Sequence, residues 1–141
     1  MESLKSNPKR QAIQVLDGYS YQIWRSVLCW LKLKSEERLY LEGAEDIDLH
    51  QERVNKVETV QVKKTSRAIT LNSKSVIEAI NNFGEHQQNN PDVQITFRFL
   101  TTSKRGKEKS NLFNGICGLD LWDSCKESKT DCTILKNFLV S

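Results

Sequence analysis

The sequence is poor in the residues that mark several common protein classes. It holds two histidines and four cysteines. Cys29, Cys117, Cys125 and Cys132 form no C-x-x-C pair and stand in no zinc-binding spacing to a histidine, so both a zinc module and a disulfide framework are disfavoured. Cys29 falls in an apolar stretch and is expected to be a reduced core thiol. No apolar run approaches the roughly 20 residues of a membrane helix. The charged N-terminus, broken by Pro8, lacks the form of a signal peptide. No membrane association and a cytoplasmic location are the expectation. There is no internal repeat and no low-complexity tract, and 38% hydrophobic with 28% charged residues is ordinary for a globular chain. At 141 residues one core is within reach. We expect a lead-in over 1–17 and one domain over 18–141, the latter as the N-terminal part of a longer protein.

The net charge of +3 says little, but its distribution is informative. Eight acids lie between Glu36 and Glu58, including Glu42, Glu45, Asp46 and Asp48, whereas Thr59 to Ile77 has none. That acid-free stretch carries Lys63, Lys64, Arg67 and Lys74, and a second basic group follows at Lys104, Arg105, Lys107 and Lys109. Charge blocks are ordinarily solvated faces. An acidic cluster between basic stretches is also the plan of a site that holds cations and grips a phosphate backbone.

Hydrophobic spacing gives the elements. Ile23, Trp24, Val27, Leu28 and Leu31 recur at helical period within 19–33, predicting a core helix in which Trp24 and Trp30 pack inward. Arg38–Glu42, Asp46–Leu49 and Val57–Lys63 alternate as strands, with Asp46 and Asp48 on one face and Ile47 and Leu49 on the other. Ser75 to Glu78 reads as a capping box opening a helix that Gly84 ends. Val93–Leu100 is the clearest strand, with His86 in a polar loop before it. Beyond Thr101 the pattern weakens, with glycines at 115 and 118; Ile134, Leu135, Phe138 and Leu139 suggest a last helix capped near Asp131. The order predicts an α/β fold with a mixed β-sheet flanked by helices.

The chemistry concentrates in Glu42-Gly-Ala-Glu45-Asp46-Ile-Asp48 and Gln61-Val-Lys63. Crowded carboxylates repel one another unless a cation neutralises them. Mg²⁺ takes hard oxygen ligands while leaving room for water and phosphate. Lys63 and Gln61, two apart on one strand, project to the same side, where a lysine stabilises transition-state charge or orients water.

Asp48 followed by Gln61-Val62-Lys63 resembles the D…(D/E/Q)-x-K signature of PD-(D/E)XK, restriction-endonuclease-like nucleases, in their Mrr-like branch. The longer string is more specific. Gly18-Tyr-x-Tyr21-Gln22, Leu41-Glu42-Gly-x-Glu45-Asp46-Ile-Asp48, Val60-Gln61-Val-Lys63 and Phe99-Leu-Thr101-Thr102-Ser103 resemble the N-terminal double-stranded-DNA endonuclease effector domain of bacterial antiphage proteins. Those domains are fused to a SAVED-type cyclic-oligonucleotide sensor or a STAND-type NTPase, or partnered with a HerA-type ATPase. The resemblance implies a restriction-endonuclease-like core and a Mg²⁺-dependent (or Mn²⁺-dependent) deoxyribonuclease. It implies catalytic residues Asp48, Gln61 and Lys63, and metal ligation by Asp48, Glu42, Asp46 and Gln61, with Gln22 in support. It further implies homo-oligomeric clustering through a following domain or a partner ATPase. Gln61 departs from the usual acidic residue and brings no charge. Lys64, Arg67, Lys74, Lys104, Arg105 and Lys107 are the expected DNA contacts, gripping phosphates without reading bases. The alternative is a non-catalytic nucleic-acid-binding or oligomerisation module using the same basic stretches.

Overall fold

A computed structural model describes residues 8–109 and 112–140. The chain divides into two compact units, one made of residues up to Thr65 with Phe83–Thr102, the other of Ser66–Asn82 with 103–141. Residues 1–7 of the expected lead-in lie outside the described residues, and so does the Leu139 side chain.

The first unit contains helix α1 (Pro8–Leu31) and strands β1 (Glu37–Leu41), β2 (Ile47–Gln51), β3 (Lys56–Lys63) and β4 (Gln94–Thr101). They form one sheet in the order β1-β2-β3-β4. The first three strands pair antiparallel and β4 joins β3 in parallel. A parallel neighbour requires a crossover, supplied by helix α2 (Lys74–Asn89). This is the mixed, helix-flanked α/β sheet expected from the sequence, and it is consistent with a restriction-endonuclease-like core. Alternation sorts the faces: Ile47, Val60 and Val62 form a buried cluster against Tyr21, Cys29, Leu39, Leu49 and Leu100. Asp48 pairs across the ladder with Tyr40 and Thr59, which fall on the opposite face by register.

Three expectations need correction here. Helix α1 begins at Pro8, so residues 8–17 of the expected lead-in are helical; proline fits a first helical turn because its missing N–H has no partner there anyway. The stripe that α1 turns to the sheet is also different: Tyr21 and Cys29 pack on the core and Ser26 is buried, while Trp24, Trp30, Ile23, Leu28 and Leu31 are exposed. Periodicity finds the most apolar stripe, but here hydrogen bonds from Gln22 to Glu42 and Asp46 anchor the other one. Finally, α2 runs on through Gly84 to Asn89, with nothing within 4 Å of a Cβ built there. A helical glycine costs only about 1 kcal/mol relative to alanine, and Asn90 and Pro91 make the stop instead. His86 is therefore helical rather than in a loop.

The second unit gathers Leu71, Phe113, Leu121 and Leu135 into a core, with Phe138 edge-on to Phe113 at 5.1 Å. It contains α3 (Gly118–Ser124), which the sequence did not announce, and α4 (Lys129–Val140). Ser128 Oγ accepts from Asp131 N, so Ser128 rather than Asp131 caps α4. Likewise α2 starts from Ser73, two residues upstream of the expected cap: its carbonyl accepts from Val76 and Ile77, and its Oγ accepts from Thr70 N at 2.9 Å, so no capping box forms there. A buried Glu108 joins this unit's segments by accepting from Leu71 N at 2.9 Å and Gly118 N at 2.7 Å. All four cysteines are free and partly buried. Among the described residues no helix is long and apolar enough to cross a membrane.

Candidate functional site

The acidic segment is the connection from β1 to β2, and its shape follows from main-chain bonding. Glu42 adopts a left-handed backbone (φ 54°) and donates its N–H to Asp46 O at 3.2 Å. Only a few per cent of non-glycine residues take this conformation. Gly43 follows where any Cβ would run into the Asp48 carboxylate, so the close approach requires glycine. Asp48, 3% exposed, accepts from Ala44 N at 2.6 Å through Oδ2 and from Glu45 N at 3.2 Å through Oδ1. Its carboxylate thus holds the turn from within.

Asp46 is placed differently. Its Oδ2 accepts from Val62 N at 2.7 Å, and its Oδ1 accepts from Gln22 Nε2 at 3.2 Å. The same Gln22 Nε2 donates to Glu42 Oε1 at 2.7 Å, so one amide from α1 bridges two carboxylates on the connection. Burial pushes the Asp46 carboxyl above its ordinary value; the Val62 N–H draws it back, the Glu42 carboxylate raises it further, and Lys63 lowers it. Gln61 and Lys63 come from the last turn of β3. Gln61 Oε1 is buried and has no hydrogen-bond partner among the described residues.

A cleft of about 400 Å³ collects Gln22, Asp46, Gln61, Lys63 and Lys64, with Gln14, Val15, Gly18 and Tyr19 of α1 as its other wall. A second cleft, about 700 Å³, meets it at Gln22 and Asp46 and also reaches Glu42, but its walls are mostly apolar. Asp48 lines neither cleft. Of the expected constellation, then, Asp46, Gln61 and Lys63 share one cleft, Glu42 is tied to it through Gln22, and Asp48 stands behind the turn.

The donors suit a hard divalent cation in kind. A carboxylate raised by burial, and further by the Glu42 carboxylate, gains from a positive charge, and an unpartnered buried amide oxygen is an available ligand. Among the described residues no group of three or more His, Cys, Asp or Glu forms a ready cage. That is compatible with Mg²⁺, which is commonly bound through one or two carboxylates, with waters and substrate phosphates completing its shell.

Sequence reasoning set His86 aside, yet its Nε2 lies 3.2 Å from the buried Glu45 Oε1, next to the turn that Asp48 holds. No local signal announces this pair, which forms across 41 residues of chain. His50 packs edge-on to Tyr40 at 4.6 Å. Among the expected DNA contacts, Lys64 pairs with Asp17 at 2.6 Å in the first unit. In the second, Lys74 pairs with Glu78 at 3.6 Å, and Arg105 with Asp120 at 2.8 Å and Asp123 at 2.6 Å. Arg67, Lys104 and Lys107 are exposed on that unit.

No curated protein and no solved structure gives a significant match to this chain. A family model described as "Cap4, dsDNA endonuclease domain" matches residues 15–138, spanning α1 from Val15 onward, the whole sheet and nearly all of α4. The match encloses every residue of the cleft except Gln14. The chain belongs to the Cap4 dsDNA endonuclease domain family.

Proposed function

We propose that this domain hydrolyses phosphodiester bonds of double-stranded DNA with the help of Mg²⁺ or Mn²⁺, as the effector of an antiphage system. Membership of an endonuclease family supports the reaction class and the substrate. The observation that carries the site is the convergence of Asp46, Gln61 and Lys63 on one cleft beside Gln22. In this reading Asp46 and Gln61 hold the cation, with Glu42 as a further carboxylate on the same bridge. The ion would lower the pKa of a bound water and polarise a phosphoryl oxygen.

The chain's own groups do the rest. Lys63 carries positive charge to the cleft, where it steadies the charge that builds on the phosphoryl oxygens during attack. Gln22 keeps Glu42 and Asp46 at a fixed separation, so that their mutual repulsion does not spread the connection. Asp48 acts from behind, holding the Ala44 and Glu45 N–H groups and hence the aim of Asp46. The exposed Arg67, Lys104 and Lys107 supply sequence-independent phosphate contacts. Clustering through a following sensor or NTPase domain, or through a partner ATPase, belongs to the same proposal and would raise the local density of cleavage sites.

The test is plasmid degradation by the full-length protein in Mg²⁺, in Mn²⁺ and in chelator. Cleavage that needs the metal and disappears in Lys63→Ala and Asp46→Asn, with the fold intact by circular dichroism, is the expected result. Loss in Asp48→Asn with retention in Asp46→Asn would return the ligand role to Asp48. Salt-sensitive DNA binding without cleavage under any metal would leave a non-catalytic binding module.

A further inference from the structure

Helix α1 carries a second apolar stripe that the sheet does not use. Ile13, Leu16, Ile23, Trp30 and Leu31 are all exposed along it, and Trp24 stands beside them. Trp24 is 68% exposed, Trp30 64% and Leu31 71%. The positions 13, 16, 20, 23, 27 and 30 alternate steps of three and four, the spacing by which one helix packs along another. No charge interrupts them, and Ser20 near the middle is small enough for close approach.

We propose that this stripe is where two copies of the chain pair, α1 against α1 about a two-fold axis. Three observations favour a second copy. The first is area. With exposed aromatics contributing about 150–250 Å² each, the stripe and its flanks offer on the order of 1,000 Å², against about 800 Å² per partner in a standard stable interface. Ordinary monomers rarely leave a patch of more than about 300–600 Å² uncovered. The second is self-complementarity. An uncharged stripe matches its own copy, as a two-fold interface demands, whereas a nucleic acid would call for cations on it. The third is the apolar cleft of about 700 Å³ beside the stripe, walled by Tyr19, Ile23, Val27, Trp30 and Tyr40. It has room for a large side chain of the facing copy, the kind of anchor that dominates such interfaces. The pairing does not depend on the nuclease reading, since no residue of the stripe is assigned a role in the chemistry, although the cleft's far wall reaches Gln22, Glu42 and Asp46.

Sedimentation velocity of the protein from about 1 to 100 μM reads the proposal directly, a range that brackets micromolar affinities. A species of twice the chain mass is expected, weakened at least about 100-fold in Trp24→Glu/Leu31→Glu by two desolvated charges, with unchanged circular dichroism and melting. Both positions are already exposed, so the double variant should still fold. In a second arm, Ile23→Cys near the middle of the stripe should be joined to its copy by a short bismaleimide, with the wild-type protein as control for the four native thiols. A monomer at every concentration would overturn the proposal. So would a dimer indifferent to the double variant, or a stripe that instead binds anionic phosphatidylglycerol vesicles.

Discussion

Each of the two units is built around a buried carboxylate that accepts two main-chain N–H groups beside a glycine. In the first unit Asp48 holds Ala44 N and Glu45 N, and Gly43 lies against its carboxylate. In the second Glu108 holds Leu71 N and Gly118 N, with Gly118 against it. In local chemistry the two are nearly the same device. Their surroundings differ: Asp48 fixes a connection that carries Glu42 and Asp46 into contact with Gln22, while Glu108 ties together segments of an apolar core. In both units the buried carboxylate shapes the segment around it through main-chain N–H groups. The groups that the proposed function uses stand beside that of the first unit: Asp46, whose carboxyl burial pushes upward although Val62 N and Gln22 Nε2 bond it, and Gln61, whose buried Oε1 has no partner among the described residues.

The sharpest way to test that comparison is to remove one acid from each unit. Asp46→Asn should lower plasmid cleavage by about a thousandfold, some 4 kcal/mol of barrier, with little change in melting temperature. The removed charge is one that burial disfavours, although the Val62 N–H and Lys63 favour it. Glu108→Ala should do the reverse for stability, leaving two N–H groups without an acceptor at about 3 kcal/mol in all, or roughly 10 °C of melting temperature. Any cleavage lost in that variant should return in proportion to the folded fraction on cooling. Gly118→Ala tests the same clamp more gently. Its new methyl meets Leu71 Cδ1 at 2.6 Å and Glu108 Oε1 at 2.7 Å, and overpacking of this kind costs about 1–3 kcal/mol by chemical denaturation.

The smallest effect concerns Glu37, which accepts from Lys34 N and Gln51 Nε2 in the open rather than in a core. The Lys34 N–H and then the Gln51 amide hold its carboxyl below the ordinary value of 4.5. A depressed acid stabilises the fold above its unfolded pKa, and the contribution fades as pH falls through the folded value. Glu37→Gln should therefore be less stable than wild type at pH 7, by well under 1 kcal/mol given solvent screening. The gap should close below about pH 4, as acid titrations of the two proteins would show.

Much of this was legible in the sequence because it depends on short-range pattern. The four strands, their order and the parity that separates Ile47 from Asp48 follow from alternation, and Gln61 and Lys63 fall on one strand by spacing alone. The different hydrogen-bonding settings of Asp46 and Asp48 were not legible. They rest on the direction of two N–H groups in a turn and on an amide reaching from Gln22, more than 20 residues away. The packed face of α1 was hidden for a related reason, since Gln22 on it is fixed by long-range partners while the helix's most apolar residues remain outside. Gly84 and Ser75 misled because a local stop or cap signal yields when tertiary packing extends a helix.

The way the two units share the chain has a consequence for synthesis and for engineering. Each is assembled from two stretches, and the stretches interleave: the first unit is interrupted by Ser66–Asn82 and resumes at Phe83–Thr102. As the chain emerges during translation, β3 waits for β4, whose first residue pairs 38 positions downstream of its own (Lys56 with Gln94). Lys63 at the end of β3 gains its parallel neighbour Thr101 only at the last rung. A chain stopped at residue 102 would complete the sheet yet leave Ser66–Asn82 exposed without the segments it folds with. No single cut separates the two units intact, so a fragment that keeps either one whole must carry part of the other.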